Sequence, residues 1–287
     1  PPSRDEKILT AWNALAIQAL ALAGRVLNPL YLDLACRAAN WILEHLQPRP
    51  GELFHACLLN RAPGIPAFLD DYALFADALL SLYECTGQIH WLENAVALAE
   101  QMMARFRDPE GGGLFYAQLA HEPLLVRQKD AQDGSTPSGN SAAAWMLLRL
   151  WHFTGRTDFR QCAETIFRWL TPLAERLPTA FGHLLCGVDF GIGPVREIVL
   201  SGSVTEPVLQ QAWTRLWRTF EPRRIMAWLD PNLPVHRYAP FVLLADKLSP
   251  IPSIYFCEQG TCQQPLIGQE AIRAWLDVHR AESNQPA

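Results

Sequence analysis

Three stretches of the chain carry apolar positions at helical spacing, and the three share one layout. Residues 11–42, 70–102 and 139–170 each read as an apolar helix, a short turn and a second helix. The second helix opens on an aromatic residue with alanine four positions on: Tyr31 and Ala35, Trp91 and Ala95, Phe159 and Ala163. A polar residue marks the start of each first helix. Asn13, Asp71 and Asn140 stand 18, 20 and 19 residues before those aromatics. Helix pairs that recur every 60 to 68 residues predict an array whose neighbours bury one another's faces. The first helices are apolar on nearly all sides (Leu15 to Leu22, Ala142 to Leu150) and are predicted inside. The second helices carry charge, as at Asp33, Glu93 and Arg160, and are predicted half exposed. An inner and an outer ring follow. If the array curves, the inner helix starts converge with their polar residues.

Gly51 to Leu59 and Gly113 to Leu125 read as short strand pairs linking the hairpins, the second after the turn signal of residues 108–112. From about Asp189 the texture changes. Strands are predicted at 196–200, 225–229 and 253–257, with helices at 205–220 and 269–280. That alternation suggests a small parallel sheet. The expected division is 1–188 for the helical hairpins and 189–287 for a small α/β subdomain.

Composition narrows the classes. At 287 residues, 49% hydrophobic and 18% charged, the chain is expected to bury a sizeable core. Its net charge of -5 gives no general attraction for nucleic acid. No apolar run approaches the roughly 20 residues that span a bilayer. The start, Pro1-Pro2-Ser3-Arg4, reads as cut from something longer. Half a toroid would expose the apolar flanks of its terminal hairpins and tend to associate. Seven scattered cysteines suit a reducing, cytoplasmic setting. Cys36, Cys85 and Cys162 lie in apolar helical contexts as core residues. For Cys257 and Cys262, spaced C-x4-C beside a strand, the readings are packing, a local disulfide or a weak metal site.

Candidate chemistry clusters in three places. Arg127 to Ser141 holds Arg127, Lys129, Asp130 and Asp133, then Ser138 and Asn140 at a helix start. It reads either as a capped, salt-bridged loop or as a pocket edge. Asp70, Asp71 and Tyr72 form the second cluster. The carboxylates read either as N-terminal caps or as a pair for acid–base work or for binding sugar hydroxyls. Trp12 and Asn13 form the third, with Trp12 either core or a stacking face. Asp71, Asp130 and Asp133 are the candidate catalytic groups. Trp12, Asn13, Asp70, Tyr72, Arg127, Lys129, Ser138 and Asn140 are the candidate substrate-binding groups. His55 and His121, in the ribbon loops, read as exposed polar residues within reach of the pocket. No metal-binding histidine pair, phosphate loop, nucleophile elbow or dinucleotide fingerprint occurs, and no cofactor or metal is expected.

The segments RDEKILTAWNALAI, FLDDYALFADALLSLYE, WLENAVALAEQM, GGGLFY, RQKDAQDGSTPSGNSAAAWMLLRL and YFCEQGTCQQP carry a resemblance. Together they resemble the C-terminal part of the thioredoxin-domain-containing proteins, which include the spermatogenesis-associated members of animals and their bacterial relatives. That resemblance implies a barrel similar to six-hairpin glycosidases and N-acylglucosamine 2-epimerases, preceded by a thioredoxin-like domain. This chain would then be a partial (α/α)6 toroid of three hairpins with β-ribbon links, followed by the small α/β subdomain. It would lack the thioredoxin-like domain and the first half of the barrel. A carbohydrate ligand is implied, with hydrolase or isomerase chemistry. The paired histidines of the epimerases cannot be placed on this sequence, whereas for the inward carboxylates of the hydrolases Asp70, Asp71, Asp130 and Asp133 are available. The alternative is a non-catalytic module that binds a client for the redox domain. Neither nucleic acid nor membrane is expected as a partner.

Overall fold

The computed structural model describes residues 5–58, 64–119 and 125–282; His121 and parts of both predicted ribbons lie outside them. The three hairpins form as expected. Helix α1 (Thr10–Val26) pairs with α2 (Leu30–His45), α3 (Leu69–Thr86) with α4 (Ile89–Phe106), and α5 (Gly139–Thr154) with α6 (Thr157–Ala174). The first helices also pack side by side, α1 on α3 and α3 on α5, which makes them the inner row of a partial α/α toroid.

The turns of hairpins two and three are built alike. Gly87 and Gly155 end α3 and α5 with φ of 70° and 66°, a left-handed cap that glycine adopts without steric cost. Each is preceded by a threonine whose hydroxyl donates back to the carbonyl of Leu82 or Leu150, 2.7 Å in both. The aromatic and alanine pairs of these hairpins, Trp91 with Ala95 and Phe159 with Ala163, are fully buried. Hairpin one departs from the expectation. Ala35 is buried, but Tyr31, Leu22, Val26, Leu27 and Leu30 are exposed. Helix α1 is thus buried mainly on the flank that meets α2 and α3, with slighter contact to residues 54–58 and 207–217.

The predicted ribbons are partly corrected. Strand β1 (Lys7–Leu9) pairs antiparallel with β2 (Phe54–Leu58), and β2 with β3 (Ile65–Pro66). The first linker therefore becomes one strand of a three-stranded sheet. Among its described residues the second contributes an isolated bridge, Arg107 with Leu114, and no strand pair.

Helix α7 (Gly182–Ile192) packs on α5, so position 188/189 falls inside one helix. Beyond it, β4 (Arg196–Ser201), α8 (Pro207–Trp217), β5 (Arg224–Leu229), β6 (Ser253–Glu258), β7 (Thr261–Cys262), β8 (Leu266–Ile267) and α9 (Gly268–Glu282) follow. The sheet is mixed, not parallel: β4 runs parallel to β5 but antiparallel to β6. Its two faces divide the strands by the two-residue period. Val199, Ile225, Ala227 and Leu229 join the core of the helical array. Ile198, Leu200, Met226, Trp228 and Ile254 form a second core with Trp213 of α8 and Ile272 of α9.

Candidate functional site

The inner helix starts converge. The backbone N–H of Ala11 on α1 donates to Asp71 Oδ1 on α3 at 3.0 Å. A Cβ placed on Gly139, the first residue of α5, would stand 3.0 Å from the Asp70 nitrogen, so only glycine lets these two starts approach so closely. The repeated polar positions, however, mostly face backbone. Asn140 is fully buried; its amide accepts from the Leu114 N–H at 2.8 Å and donates to the carbonyls of Leu114 and Asp130, both at 2.9 Å. Asn13 donates to the Leu9 carbonyl at 2.8 Å.

Asp71 is the hub of the site. Its side chain is fully buried, and besides Ala11 it accepts from the Phe68 N–H at 2.9 Å and from His55 Nδ1 at 2.8 Å, both at Oδ2. Strand β2 delivers His55, because β1 leads straight into α1 and the Thr10 hydroxyl donates to the neighbouring Phe54 carbonyl at 2.7 Å. The Asp71 contact puts the ring proton on Nδ1 and leaves Nε2 to exchange protons. It also raises the His55 pKa above its ordinary 6.5, more than partial burial lowers it; the Asp70 charge adds a minor upward push.

Asp70 sits beside this pair and is half-buried. Its carboxyl is pushed up to about 6, first by burial and then by the Asp71 charge. The Asp71 N–H donates to its Oδ1 at 3.1 Å. Two aromatic rings flank the cluster. Phe68 stands edge-on to His55, with centroids 5.1 Å apart, and stacks on Tyr116 at 4.8 Å. Burial raises the Tyr116 phenol, and the charges of Asp70, Asp71 and Asp130 add to the rise. Asp130 is exposed at the edge, its own carboxyl raised by partial burial and then by Asp133.

The other predicted residues are placed as follows. Asp133 accepts from the Ser138 N–H at 2.9 Å and from the His183 and Leu184 N–H groups at 2.8 and 3.3 Å, so it caps α7 and ties it to the start of α5. Ser138 caps α5 by accepting from the Ser141 N–H at 3.1 Å. Arg127 donates to the Ala117 carbonyl at 2.8 Å and lies over the Phe115 ring. Lys129 pairs with Asp108 and donates to the Gly112 carbonyl at 2.6 Å. Tyr72 is fully buried, its hydroxyl accepting from the Leu53 N–H at 3.1 Å. Trp12 is 66% exposed on α1. Asp70 and Asp71 therefore stand with His55, Asp130 is exposed and reaches this region through its carbonyl on Asn140, and Asp133, Ser138, Asn140, Arg127, Lys129 and Tyr72 bind backbone. Tyr116 is the participant the sequence did not single out, and His55, expected as an exposed polar residue within reach of the pocket, is half-buried on Asp71. Among the described residues, no group of three or more His, Cys, Asp or Glu is placed to hold a metal ion. No described helix is long and apolar enough to cross a membrane.

No family model matches the chain. Human spermatogenesis-associated protein 20 is 29% identical over 287 residues, covering 96% of this chain and 36% of the human protein. An uncharacterized protein of Caenorhabditis elegans is 29% identical over 275 residues, covering 92% of this chain and 37% of its own length. The chain thus spans about a third of the length of the curated relatives it matches. Among solved structures it is similar to a family 105 glycoside hydrolase of C. acetobutylicum ATCC 824, with TM-score 0.47, 12% identity, and coverage of 57% of this chain and 48% of that one. A sugar epimerase from a ruminal bacterium gives TM-score 0.43 and 17% identity, over 57% of this chain and 44% of that one.

Proposed function

We propose that the mouth formed by the starts of α1, α3 and α5 acts on a carbohydrate by proton transfer, as a hydrolase or an isomerase. One observation carries the reading. A carboxyl with a pKa of about 6, Asp70, lies beside a histidine held in one tautomer by a buried carboxylate. Asp70 then serves as base once ionised above about 6, and His55 as acid below its raised pKa. Asp71 positions His55 and does not itself exchange the proton, since all its donors are protein groups. The stacked Phe68 and Tyr116 supply an aromatic edge against which a sugar ring packs. The resemblance in the segments around Asn13, Asp71 and Asn140 supports the same substrate class. With it comes the proposal that this chain is the C-terminal part of a cytoplasmic, thioredoxin-domain-containing protein.

The test is a screen of oligosaccharide cleavage and sugar interconversion, followed by Asp70→Asn and His55→Gln on any substrate turned over. Each is expected to lower kcat by about 10²–10⁴-fold, and the wild-type rate should rise as pH passes about 6. Unchanged rates in both variants would remove the pair from the chemistry.

A further inference from the structure

A cavity of about 660 Å³ lies where the end of α5, helix α7 and the mixed sheet meet. It is remote in sequence from the carboxylate mouth and contains chemistry that the carbohydrate reading does not use. Cys257 and Cys262 are joined as a disulfide and both line it, as do His152 and Glu197.

The strand register explains the grouping. Gln259 and Gly260 have φ of 51° and 76°, so a two-residue turn with both central residues left-handed closes the β6–β7 hairpin. That turn sets Cys257 directly opposite Cys262. On the other side of β6, Cys257 stands directly opposite Glu197 of β4. Directly opposed antiparallel residues project to the same face, with Cβ atoms about 4.5–5.5 Å apart. Glu197, Cys257 and Cys262 therefore form a row across three strands. His152, in the last turn of α5, closes the row with Nδ1 at 2.7 Å from Glu197 Oε1. The His152 and Glu197 side chains are only 14% and 13% exposed. The two sulfurs differ in access: Cys257 is buried and Cys262 is exposed.

We propose that Cys257 and Cys262 form a thiol–disulfide exchange site that takes a dithiol as its redox partner. A thiolate of the dithiol attacks Cys262 Sγ, the exposed half. The Sγ–Sγ bond breaks and its electron pair leaves on Cys257 Sγ, which takes up a proton through the adjacent Glu197–His152 pair. The second thiolate of the donor then attacks the donor sulfur of the mixed disulfide and releases Cys262, which takes a proton from water. Two electrons pass from the dithiol to the cysteine pair, and the donor leaves as a disulfide, its own two protons released to solvent. The cavity, walled by Trp151, Phe190, Val195 and Leu243, gives the donor an apolar seat. This proposal stands apart from the carbohydrate reading and survives its failure.

Dithiothreitol is the probe. Differential alkylation with peptide mapping separates this pair from Cys36, Cys57, Cys85, Cys162 and Cys186. The pair is expected to convert reversibly between disulfide and dithiol while the far-ultraviolet circular dichroism stays native. Glu197→Gln should slow exchange about tenfold. Glutathione disulfide should cap Cys262 in Cys257→Ser much faster than it caps Cys257 in Cys262→Ser. A pair that resists dithiothreitol until the chain unfolds would be a structural staple and overturn the proposal. Equal capping of the two cysteines, or an unslowed Glu197→Gln variant, would overturn the assigned roles. Faster reaction with a reduced protein dithiol than with equimolar dithiothreitol identifies a protein donor, and the reverse a small one.

Discussion

Asp70 and Asp71 are neighbours in sequence with opposite circumstances. Asp71 has three protein donors on its two oxygens and is fully buried. Asp70 has one backbone donor, at its Oδ1, and feels the Asp71 charge at close range. The Asp70 arrangement favours a retained proton. A stability consequence follows. The Asp70 pKa is higher in the fold than in the unfolded chain, so its contribution favours the fold fully below the ordinary 3.8 and is lost as pH rises through about 6. Allowing for its partial exposure, the loss is on the order of 1–2 kcal/mol. Asp70→Asn should remove it. Measured by urea unfolding, the variant should gain about that much relative to wild type between pH 4 and pH 7. A difference that stays flat with pH would show that Asp70 titrates normally.

The hairpins were legible because their signals are local: apolar helix faces, a short turn, an aromatic and an alanine one turn apart. Helix α7 was not. Gly182, Gly187 and Gly191 depress its intrinsic helicity, and it forms because Leu184, Gly187 and Phe190 bury against the α5–α6 hairpin. The strands were legible as β-branched and aromatic runs, but the direction of β6 was not, since the segment between Asp230 and Pro252 sets it. His55 read as an exposed polar residue because its partner Asp71 lies 16 positions away in another element. The least visible link between elements is charged. Arg149 of α5 pairs with Asp77 and, at 2.7 Å, with Glu84, both on α3 and all nearly buried. Glu84 in turn accepts from the Met226 N–H of β5 at 3.1 Å, which satisfies a donor on the outer edge of the sheet. Arg149→Met would strand two buried carboxylates, a change that costs about 3–5 kcal/mol. A guanidinium midpoint shift worth less than 1 kcal/mol would mean that water reaches the triad.

At the scale of the whole molecule, the sequence suggests two units and the packing suggests one. Residues of β4 and β5 lie in the same core as those of α1 through α7. The opposite faces of the same strands hold the second core, with α8 and α9. Neither core can come apart without exposing one face of the shared sheet. Arg149 and Glu84 add a polar tie across the first of these boundaries. Burial of apolar surface contributes about 25 cal/mol per Å². The loss of Val199, Ile225, Ala227 and Leu229 from the array would therefore cost several kcal/mol, about 1.5–3 for each of the larger side chains. That is a large share of the 5–15 kcal/mol that stabilises a domain. The expectation is a single cooperative transition. Hydrogen exchange read by mass spectrometry should show peptides from α3 and from β4–β5 losing protection at the same denaturant concentration. If the β4–β5 peptides exchange while α3 stays protected, the sheet is an independent unit. The division at 188/189 would then describe energetics that the shared core does not.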